Sequence, residues 1–488
     1  MDFGRSGVSF LAAWHSPSSK ARPAFWIIAL LLATGFSWLI PPMQSPDEDS
    51  HIGRAYLISQ GDWLLQFLPA NSPGTMEAHQ GEATAASQQT RPHGARVGGW
   101  VDAGLSSFMA AYLDLARHSV KRFSATEKAQ LAQMKWSETK QFQILAGTGY
   151  YFPAVYAPQA LGLAIGRKLG LGIGQSYYLA KEMSLLACFA LLAMACRLMA
   201  PSPLLAAILL LPMSLFQLLS PTIDGLTTSL SVLAISIFLR SADLQRKHTV
   251  AASWGLAICI FLLATSRTHL LPLLLLPFFL AWRRHSRRDF YLGCWITVGA
   301  IAWTAFALQS TIDARIVRDH TTAELLLHYL GNPMSFLQVV FASLNDPDLF
   351  TFYERSFVGV LGWLDTWLPT YFYPALWVGL AICGIASASV STLQRDGSSR
   401  LLLAGIAMVS VGLIFLALLV TWTPHPALTV KGVQGRYFVV PAILLAFAIG
   451  GVSVPKSPLR QWLAALAVGG FSASSLAALT MTLLSRYH

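Results

Sequence analysis

The chain has 488 residues, of which 54% are hydrophobic and only 12% are charged, and its mean hydropathy is +0.53. Soluble domains carry about 25% charged residues, so this composition excludes a string of soluble domains and indicates one polytopic membrane domain. The net charge of +11 does not indicate nucleic-acid binding, because the basic residues lie in short clusters between apolar runs, as in the cytoplasmic loops of membrane proteins.

Residues 1–23 carry a few basic residues and are predicted to form a cytoplasmic N-terminus. The apolar run that follows ends at Pro41 and Pro42 without a small-residue cleavage site. It is therefore predicted to be an uncleaved first span and not a signal peptide. Hydropathy predicts eleven spans: 24–41, 179–199, 204–220, 226–240, 250–265, 269–283, 290–309, 371–391, 401–421, 437–453 and 461–483. The pair 250–265 and 269–283 lies near the lower length limit for crossing about 30 Å of hydrocarbon.

The short loops support one orientation of these spans. If the N-terminus is cytoplasmic, most basic loop residues fall on the cytoplasmic side, including the cluster RRHSRR at 283–288, as the positive-inside rule requires. An odd number of spans places the C-terminus outside. Two long loops, 43–178 and 310–370, then also face outside.

The long loops are predicted to combine flexible and interfacial segments. Residues 70–100 are rich in Ser, Gly, Ala, Gln and Thr and predict a flexible insertion, whereas 103–145 has a helical composition. Segment 151–171 is predicted to be an interfacial helix, because a crossing there would reverse the charge sign of every later loop. Segment 325–344 is a candidate for a second interfacial helix. No internal repeat supports an inverted-repeat transporter.

The five cysteines lie in apolar segments and none forms a CxxC pair: Cys188, Cys196, Cys259, Cys294 and Cys383. This pattern predicts helix packing rather than a disulfide framework or a metal site.

A run of three carboxylates, Asp47, Glu48 and Asp49, begins the first long loop. A carboxyl group beside like charges has a raised pKa, so this run is a candidate for a general base. Four other motifs are predicted to reach the same membrane face: SPTIDG at 220–225, SRTHLLP at 266–272, GWLDTWLP at 362–369 and KGVQGRYFVVP at 431–441. Ionisable residues at span ends on one face are a functional hypothesis.

These motifs bring Asp224 and Asp365 towards the cations Arg54, Arg267, Lys431 and Arg436. Structural interpretations stand beside the functional ones. Asp224 is also suited to cap a helix, Asp365 to form an interfacial turn, and Arg267 to reach lipid headgroups. Asp49 and Asp62 are predicted to be solvated. His51 is either a structural hydrogen-bond partner or an acid–base group.

Arginine suits a phosphate ligand because its planar guanidinium binds phosphate bidentately. A base together with such cations at the outer membrane surface predicts group transfer from a lipid-linked phosphate donor. No ligand cluster demands a metal, although Asp47 and Glu48 together offer carboxylates for a divalent cation.

The opening motif, PPMQSPDEDSHIGRAYLISQG at 41–61, resembles the start of the bacterial membrane proteins called domain of unknown function 2142, which are placed among GT-C glycosyltransferase-like proteins. That family's pattern is roughly PPFQ-x-PDE-P-x-H-x-x-RAY-x-IS-x-G. Later matches follow in order: YAPQALGLAIGRKLGL at 156–171, LPMSLFQLLSPTIDGL at 211–226, GVLGWLDTWLP at 359–369 and GVQGRYFVVP at 432–441. The chain departs from the family at Asp49, where Pro is usual, and at Arg267-Thr268, where Lys-Pro is frequent.

The resemblance implies an all-α membrane protein with a GT-C-like bundle of about eleven helices, a catalytic carboxylate in the loop after the first span, and a polyprenyl-phosphate sugar as donor. The hypothesis is an inverting transfer to a glycan, glycolipid or protein at the outer face of the cytoplasmic membrane. Asp47 is the first choice for the base and Glu48 the second. Arg436, with Arg267 and Lys431, is expected to bind the donor phosphate. Supporting or sugar-binding roles are expected for His51, Arg54, Asp224, Asp365, Gln434 and Tyr437.

Arg54 is expected to pair with the acidic run, and Trp363 either lines the sugar site or anchors at the interface.

Two rival function classes stay open. One is a polymerase or ligase of lipid-linked polysaccharide, which usually has its large outer loop later in the chain. The other is a glycolipid transporter, which predicts broken helices and charges buried within the spans. The sugar, the acceptor and the oligomeric state stay open.

Overall fold

The computed structural model describes residues 21–68, 96–118, 120–137, 139–311, 320–388, 390–450 and 458–488. The described residues of the first half form three strands and nine helices: α1 (Ala21–Ser37), α2 (Glu48–Ser59), β1 (Gln66–Leu68), β2 (Arg96–Asp102), α3 (Ala103–Arg117), α4 (Ala125–Ala132), β3 (Lys140–Ile144), α5 (Ala157–Lys168), α6 (Ile173–Leu198), α7 (Pro203–Leu209), α8 (Pro212–Leu218) and α9 (Ile223–Ala242). Short 3-10 turns lie at Ala146–Thr148 and Pro153–Tyr156.

The described residues of the second half are again mainly helical and include a two-stranded hairpin: α10 (Val250–Ser266), α11 (Leu275–Arg284), α12 (Arg287–Ser310), α13 (Thr322–Gly331), α14 (Pro333–Asn345), α15 (Pro347–Gly359), β4 (Val360–Leu361), β5 (Thr366–Trp367), α16 (Phe372–Ser387), α17 (Val390–Thr421), α18 (Val439–Ile449) and α19 (Pro458–Tyr487). Two 3-10 segments, Thr268–Leu274 and Gly435–Phe438, precede α11 and α18. The prediction of an α-helical membrane protein is confirmed.

Five helices among the described residues are long and apolar enough to cross a membrane, and a sixth span arises if the bent pair α13–α14 counts as one: Ile173–Leu198, Ile223–Ala242, Arg287–Ser310, Asp396–Thr421 and Gln461–Tyr487. Four predicted spans correspond to shorter apolar helices of 10–17 residues. The count of eleven therefore stays a prediction.

Proline explains the clearest difference from the predicted spans. The segment 204–220 is not one helix but two, α7 and α8, because Pro212 begins a new helix directly after Leu211. A proline inside a helix removes a backbone donor and clashes with the preceding turn. Similarly, 269–283 begins as a 3-10 segment that contains Pro272, and only Leu275–Arg284 is α-helical.

The first long loop contains a small antiparallel sheet that the sequence analysis did not predict. Strand β2 lies between β1 and β3, with Gly98 opposite both Gln66 and Ile144. The prediction of a flexible insertion over 70–100 is wrong for its last five residues, which lie in β2. Its remainder, up to residue 95, lies outside the described residues. The prediction of helix over 103–145 holds for α3 and α4 but not for β3.

Both predicted interfacial segments form helices. Segment 151–171 contains α5, whose 12 residues are too few to cross about 30 Å of hydrocarbon. Segment 325–344 is not one helix, because α13 and α14 meet at a bend of 100°. The bend falls at Asn332, directly before Pro333, as expected where proline begins a new helix.

Helix α9 is the central element of the larger hydrophobic core, with most of its side chains buried. Its 20 residues correspond to about 30 Å, the thickness of the hydrocarbon. At its C-terminal end, Arg283 donates to the Ala242 carbonyl at 2.8 Å and Arg284 to the Ser241 carbonyl at 2.5 Å. The basic cluster therefore caps one end of α9, opposite to the end at which Asp224 lies.

Gly435 is required by close packing of the Gly435–Phe438 turn on α15. A Cβ atom there would lie 2.0 Å from the Phe357 backbone nitrogen and 2.3 Å from the Tyr353 carbonyl oxygen. Gly435→Ala should therefore lower the unfolding temperature of the detergent-solubilised protein by several degrees. Gly412→Ala is the matched control, because nothing lies within 4 Å of its added Cβ. Equal unfolding temperatures for the two variants would contradict this packing.

Candidate functional site

The carboxylate of Asp224 holds two arginines from distant parts of the chain. Arg267 donates from Nη2 to Asp224 Oδ1, and Arg436 Nη1 lies 3.4 Å from Asp224 Oδ2. The three side chains are largely buried, with exposed fractions of 11% for Asp224, 16% for Arg267 and 5% for Arg436. The predicted convergence of these three residues is present in the structure.

Local structure explains how each residue reaches this position. Asp224 lies in the first turn of α9, where Thr222 caps the helix and a negative side chain is favourable. Arg267 directly follows the last residue of α10, which packs beside α9. Arg436 lies in the 3-10 turn before α18. All three side chains therefore come from element ends at one end of the bundle.

Arg436 connects this pair to the acidic run. Its Nη2 atom lies 3.6 Å from Asp47 Oδ2, and its Nε donates to Gln434 Oε1 at 2.6 Å. Its guanidinium also lies 5.4 Å from the ring centre of Tyr437, within range of a cation–π interaction. Two carboxylates and two guanidiniums thus form one network with a formal charge of zero.

Asp47 and Glu48 have opposite environments although they are neighbours. The Asp47 side chain is 49% exposed, and its backbone has φ 61° and ψ 12°, a left-handed conformation that is uncommon for residues other than glycine. Such conformations cluster at functional sites. Glu48 is fully buried and begins α2.

Glu48 organises the loop that precedes it. Its two carboxylate oxygens accept hydrogen bonds from the backbone amides of Met43 and Ser45 at 2.9 and 3.0 Å, and from the Tyr177 hydroxyl. Burial raises the pKa of the Glu48 carboxyl, whereas the nearby Lys181 ammonium and these hydrogen bonds oppose that rise. The geometry therefore gives Glu48 a structural role in the Pro41–Asp47 loop.

Lys181 and Glu182 extend this network and were not recognised from the sequence. Lys181 donates to the carbonyls of Ser37 and Ile40 at 2.6 and 2.9 Å, at the end of α1, and Glu182 accepts from Thr34 and Ser37. Both residues lie near the start of the predicted span 179–199, inside the long helix α6. A lysine in an apolar helix indicates a specific polar partner or function, and this signal was present in the sequence.

His51 lies against two tyrosines from the segment before α5. Its Nδ1 is 2.9 Å from the Tyr156 hydroxyl, and its ring stacks on that of Tyr151 at 6.0 Å. Burial lowers the pKa of His51 to about 4; the positive charges of Arg267 and Arg436 act in the same direction, and Asp47 and Asp224 oppose them. His51 is therefore neutral at physiological pH, which favours the hydrogen-bonding interpretation. The Tyr151 hydroxyl accepts from Arg267 Nη1 at 3.3 Å.

Arg54 and Asp49 do not take part in the arginine network. The expected pairing of Arg54 with the acidic run is wrong, because its buried guanidinium donates to the Trp63 carbonyl at 2.6 Å. Asp49 is half-buried rather than solvated. Burial raises its pKa to about 6, and the charges of Asp47 and Glu48 add to this rise. Asp62 is also half-buried.

Asp365 and Trp363 belong to the hairpin that joins β4 and β5. The Asp365 carboxylate accepts from the Trp363 amide at 3.1 Å and the Thr366 hydroxyl at 3.0 Å, which supports the turn interpretation. Trp363 donates from Nε1 to the Met43 carbonyl at 2.9 Å. The hairpin thereby packs against the loop that carries Asp47.

Lys431 lies apart from the arginine pair. It lines a cavity of about 190 Å³ together with Gln434 and Tyr353. The cavity beside Asp224, Arg267 and Arg436 has a volume of only about 20 Å³. His269 of the SRTHLLP motif also borders this cavity, and it was not predicted as a site residue. Since one water needs about 10–15 Å³, the smaller cavity has room for little more than a water.

Within the described ranges, no group of three or more His, Cys, Asp or Glu side chains is placed to hold a metal ion. Both oxygens of Glu48 point to backbone amides, so Asp47 and Glu48 do not form the chelate considered from the sequence. The five cysteines are free.

The Asp224 network predicts a large stability effect. Asp224→Asn should cost about 3–5 kcal/mol in the free energy of unfolding, because it leaves two buried guanidiniums without their carboxylate. Asp243→Asn is the control, since Asp243 pairs with the exposed Arg246 at 3.2 Å and such pairs contribute about 1 kcal/mol or less. Chemical denaturation in detergent measures both. A similar loss in the two variants would contradict the arrangement.

Comparison with known proteins identifies the family of this chain but does not indicate an activity. No curated protein and no solved structure matches the chain. The sequence profile described as "Predicted membrane protein (DUF2142)" matches residues 30–446, a range that includes Asp47, Asp224, Arg267 and Arg436. The chain therefore belongs to the membrane protein family of domain of unknown function 2142.

Proposed function

We propose that this protein is an inverting glycosyltransferase with a GT-C-like fold. In this proposal it transfers a sugar from a polyprenyl-phosphate donor to a glycan, glycolipid or protein acceptor at the outer face of the bacterial cytoplasmic membrane. The lipid bilayer is the partner supported by the apolar helices. The donor, acceptor and orientation are parts of the proposal.

One observation carries the proposal: a half-exposed carboxylate, Asp47, lies 3.6 Å from a buried guanidinium that a second carboxylate orients. A base and a fixed cation are thus adjacent at a helix end. The reaction requires both groups, because a proton must be removed from the acceptor while negative charge develops on the leaving phosphate.

Burial and hydrogen bonding favour Asp47 over Glu48 as the base. Glu48 has no exposed surface, and its oxygens already accept from two backbone amides and a tyrosine. Asp47 keeps about half of its side-chain surface open. An acceptor hydroxyl can therefore approach Asp47 without disrupting the Pro41–Asp47 loop.

The proposed step balances as a single displacement. The acceptor oxygen forms a bond to the anomeric carbon, the bond from that carbon to the phosphate oxygen breaks, and the hydroxyl proton moves to Asp47. The lipid phosphate leaves with its electron pair, and Arg436 stabilises the added charge. Arg267 shares Asp224 with Arg436 and adds positive charge beside it, and Lys431 assists at the phosphate from the separate cavity that it lines with Gln434. Asp224 keeps both guanidiniums in place, so little reorganisation is needed during the reaction.

The remaining motif residues support this step. Gln434 fixes Arg436 through its Oε1 atom, and Tyr437 lies beside the same guanidinium. Neutral His51 stacks on Tyr151, the tyrosine that contacts Arg267. No metal is required in this scheme, and a divalent cation is not part of it.

The two rival classes are less well supported. A polymerase or ligase of lipid-linked polysaccharide uses similar chemistry but usually has its large loop later in the chain. A glycolipid transporter predicts broken helices and charges buried within its spans. Divided helices and the buried Lys181 are present here, but Lys181 and Glu182 of α6 hold the end of α1.

Asp47→Asn should slow sugar transfer by about 100- to 10,000-fold, because it removes the general base. The measurement is the rate at which lipid-linked sugar disappears in membrane vesicles, followed by mass spectrometry, at equal protein levels. Asp49→Asn is the matched control, since it neutralises an adjacent carboxylate outside the arginine network and should transfer at the wild-type rate. Near-normal transfer by Asp47→Asn would contradict the assignment.

Arg436→Lys keeps the positive charge but removes the planar group that contacts Asp47, Asp224 and Gln434 together. Transfer should fall by about tenfold or more in the same vesicles, since bonds between charged groups are worth about 1.5–3 kcal/mol. If the lysine variant transfers at the wild-type rate, Arg436 has no specific role at the leaving phosphate.

A further inference from the structure

The end of α9 opposite Asp224 carries a dense group of basic side chains that the proposed reaction does not use. The group lies in the last turn of α9, in the loop 243–249 that follows it, and around the connection from α11 to α12. Its members are Arg240, Arg246, Lys247, Arg283, Arg284, Arg287 and Arg288. Helices α9 and α12 are both long and apolar enough to cross a membrane, so these helix ends belong at a membrane surface.

Direct contacts hold loop 243–249 beside the start of α12. Arg284 donates from Nη2 to the Arg246 carbonyl at 2.9 Å. The His248 ring nitrogen Nε2 lies 2.8 Å from Asp289 Oδ2, and both side chains are almost fully buried. Two stretches of backbone, 246–248 and 284–289, are therefore fixed next to each other.

Lys247 and Arg287 lie within these two stretches, and both residues are exposed. Within the described part of the chain, neither side chain forms an ion pair or a hydrogen bond. Other cations of the group are engaged: Arg284 donates to the Ser241 carbonyl at 2.5 Å, and Arg288 donates to the Ser253 hydroxyl at 2.9 Å. Lys247 and Arg287 are thus left to bind a ligand from two neighbouring stretches of chain.

The carboxylates that contact this basic group in the described structure are already occupied. Asp243 pairs with Arg246 at 3.2 Å, and Asp396 lies 3.7 Å from Arg283. The third, Asp289, is 2% exposed and takes part in the buried histidine contact. Seven cations and three carboxylates leave a formal excess of four positive charges in this group. The surface therefore favours an anion, and it offers no carboxylate to a positively charged ligand.

Exposed apolar side chains accompany the two cations. Leu244, in the same loop as Lys247, is 60% exposed, and Trp282, near the end of α11, is 67% exposed. Tyr291 lies four residues after Arg287, on the same face of α12, and is 60% exposed. Aromatic side chains beside arginine or lysine at span ends are typical of the membrane–water interface. There the charged head reaches the lipid headgroups while its stem stays on apolar surface.

The apolar stripe that begins at Tyr291 continues along α12. Trp295 and Val298 follow on the same helix face at spacings of four and three residues, with exposed fractions of 75% and 63%. A hydrocarbon chain can lie along this stripe while an anionic group attached to it reaches Arg287. A phospholipid has both parts in one molecule.

We infer that Lys247 and Arg287 bind the headgroup of an acidic phospholipid, whose acyl chain lies along the exposed stripe of α12. A zwitterionic phospholipid fits less well, because its ammonium would face two cations with no carboxylate left to accept it. The site is at the opposite end of α9 from Asp224, and the inference is independent of the proposed function.

The test measures lipid binding to the full chain in detergent at about 0.15 M salt, where distant charges are screened beyond about 8 Å. Phosphatidylglycerol and phosphatidylethanolamine with the same acyl chains are titrated, and binding is read from the rise in unfolding temperature. The variants are Lys247→Gln, Arg287→Gln and the double variant. Arg240→Gln is the matched control, since Arg240 is an exposed arginine at the same end of α9 that points to the Leu198 carbonyl of α6.

The wild type should bind phosphatidylglycerol more tightly than phosphatidylethanolamine. Each site variant should weaken phosphatidylglycerol binding by about fivefold, and the double variant by about 25-fold, as expected for a cation near a membrane surface. Arg240→Gln should bind like the wild type, and all variants should unfold at the wild-type temperature without lipid because the changed residues are exposed.

Unchanged phosphatidylglycerol binding by the double variant would overturn the inference. Equal affinity of the wild type for the two lipids would overturn it as well, because the headgroup charge would then not be recognised. An equal loss in Arg240→Gln would replace the site with a general attraction to the positive surface. None of these readouts requires sugar transfer, so the result stands or falls apart from the proposed reaction.

Discussion

The shared carboxylate of Asp224 is the interaction on which the arrangement of the site depends. Its two arginine partners lie 43 and 212 positions later in the chain, so this one side chain joins the start of α9 to the end of α10 and to the turn before α18. Buried guanidiniums are costly unless they are paired. The pairing therefore fixes the start of α9, the end of α10 and the turn before α18. The tight packing of Gly435 on α15 further restrains the turn before α18.

A second constraint acts on the loop before α2. Glu48 holds the amides of Met43 and Ser45, and both Met43 and Asp47 adopt positive φ. The buried carboxylate, that of Glu48, is thus already engaged in hydrogen bonds that hold the loop. The neighbour left half-exposed, Asp47, is the one that reaches Arg436. Burial and hydrogen bonding thus give Glu48 a structural role, and the exposed carboxylate of Asp47 is the proposed base.

The convergence of Asp47, Asp224, Arg267 and Arg436 could be predicted from the sequence, because hydropathy places span ends on one membrane face and these residues lie at such ends. The separation of the cations could not be predicted, since Lys431 lies in the same motif as Arg436 but lines a different cavity from Arg267 and Arg436. The same holds for Arg54, whose donor group faces the carbonyl of Trp63 rather than the acidic run.

Hydropathy alone also misses features that depend on backbone chemistry or on distant partners. Pro212 and Pro272 divide apolar runs that look continuous. The β1–β2–β3 sheet pairs residues 28 to 46 positions apart, and its strands are too short and polar to show a clear period of two. Lys181 appears in the sequence as a charge within a span, and only the carbonyls of Ser37 and Ile40 at the end of α1 explain it.

The most direct test of a transferase is the mass profile of surface glycans and polyprenyl-linked sugars in three strains: the wild type, a deletion strain, and the deletion strain complemented with Asp47→Asn. If the protein is a glycosyltransferase with Asp47 as its base, the deletion and the complemented strain both lose one sugar from a glycan. Both then accumulate its lipid-linked donor, and the lost mass identifies the sugar. If Asp47→Asn restores the wild-type profile, the protein acts on these glycans by a different chemistry and the account given for Asp47 is wrong.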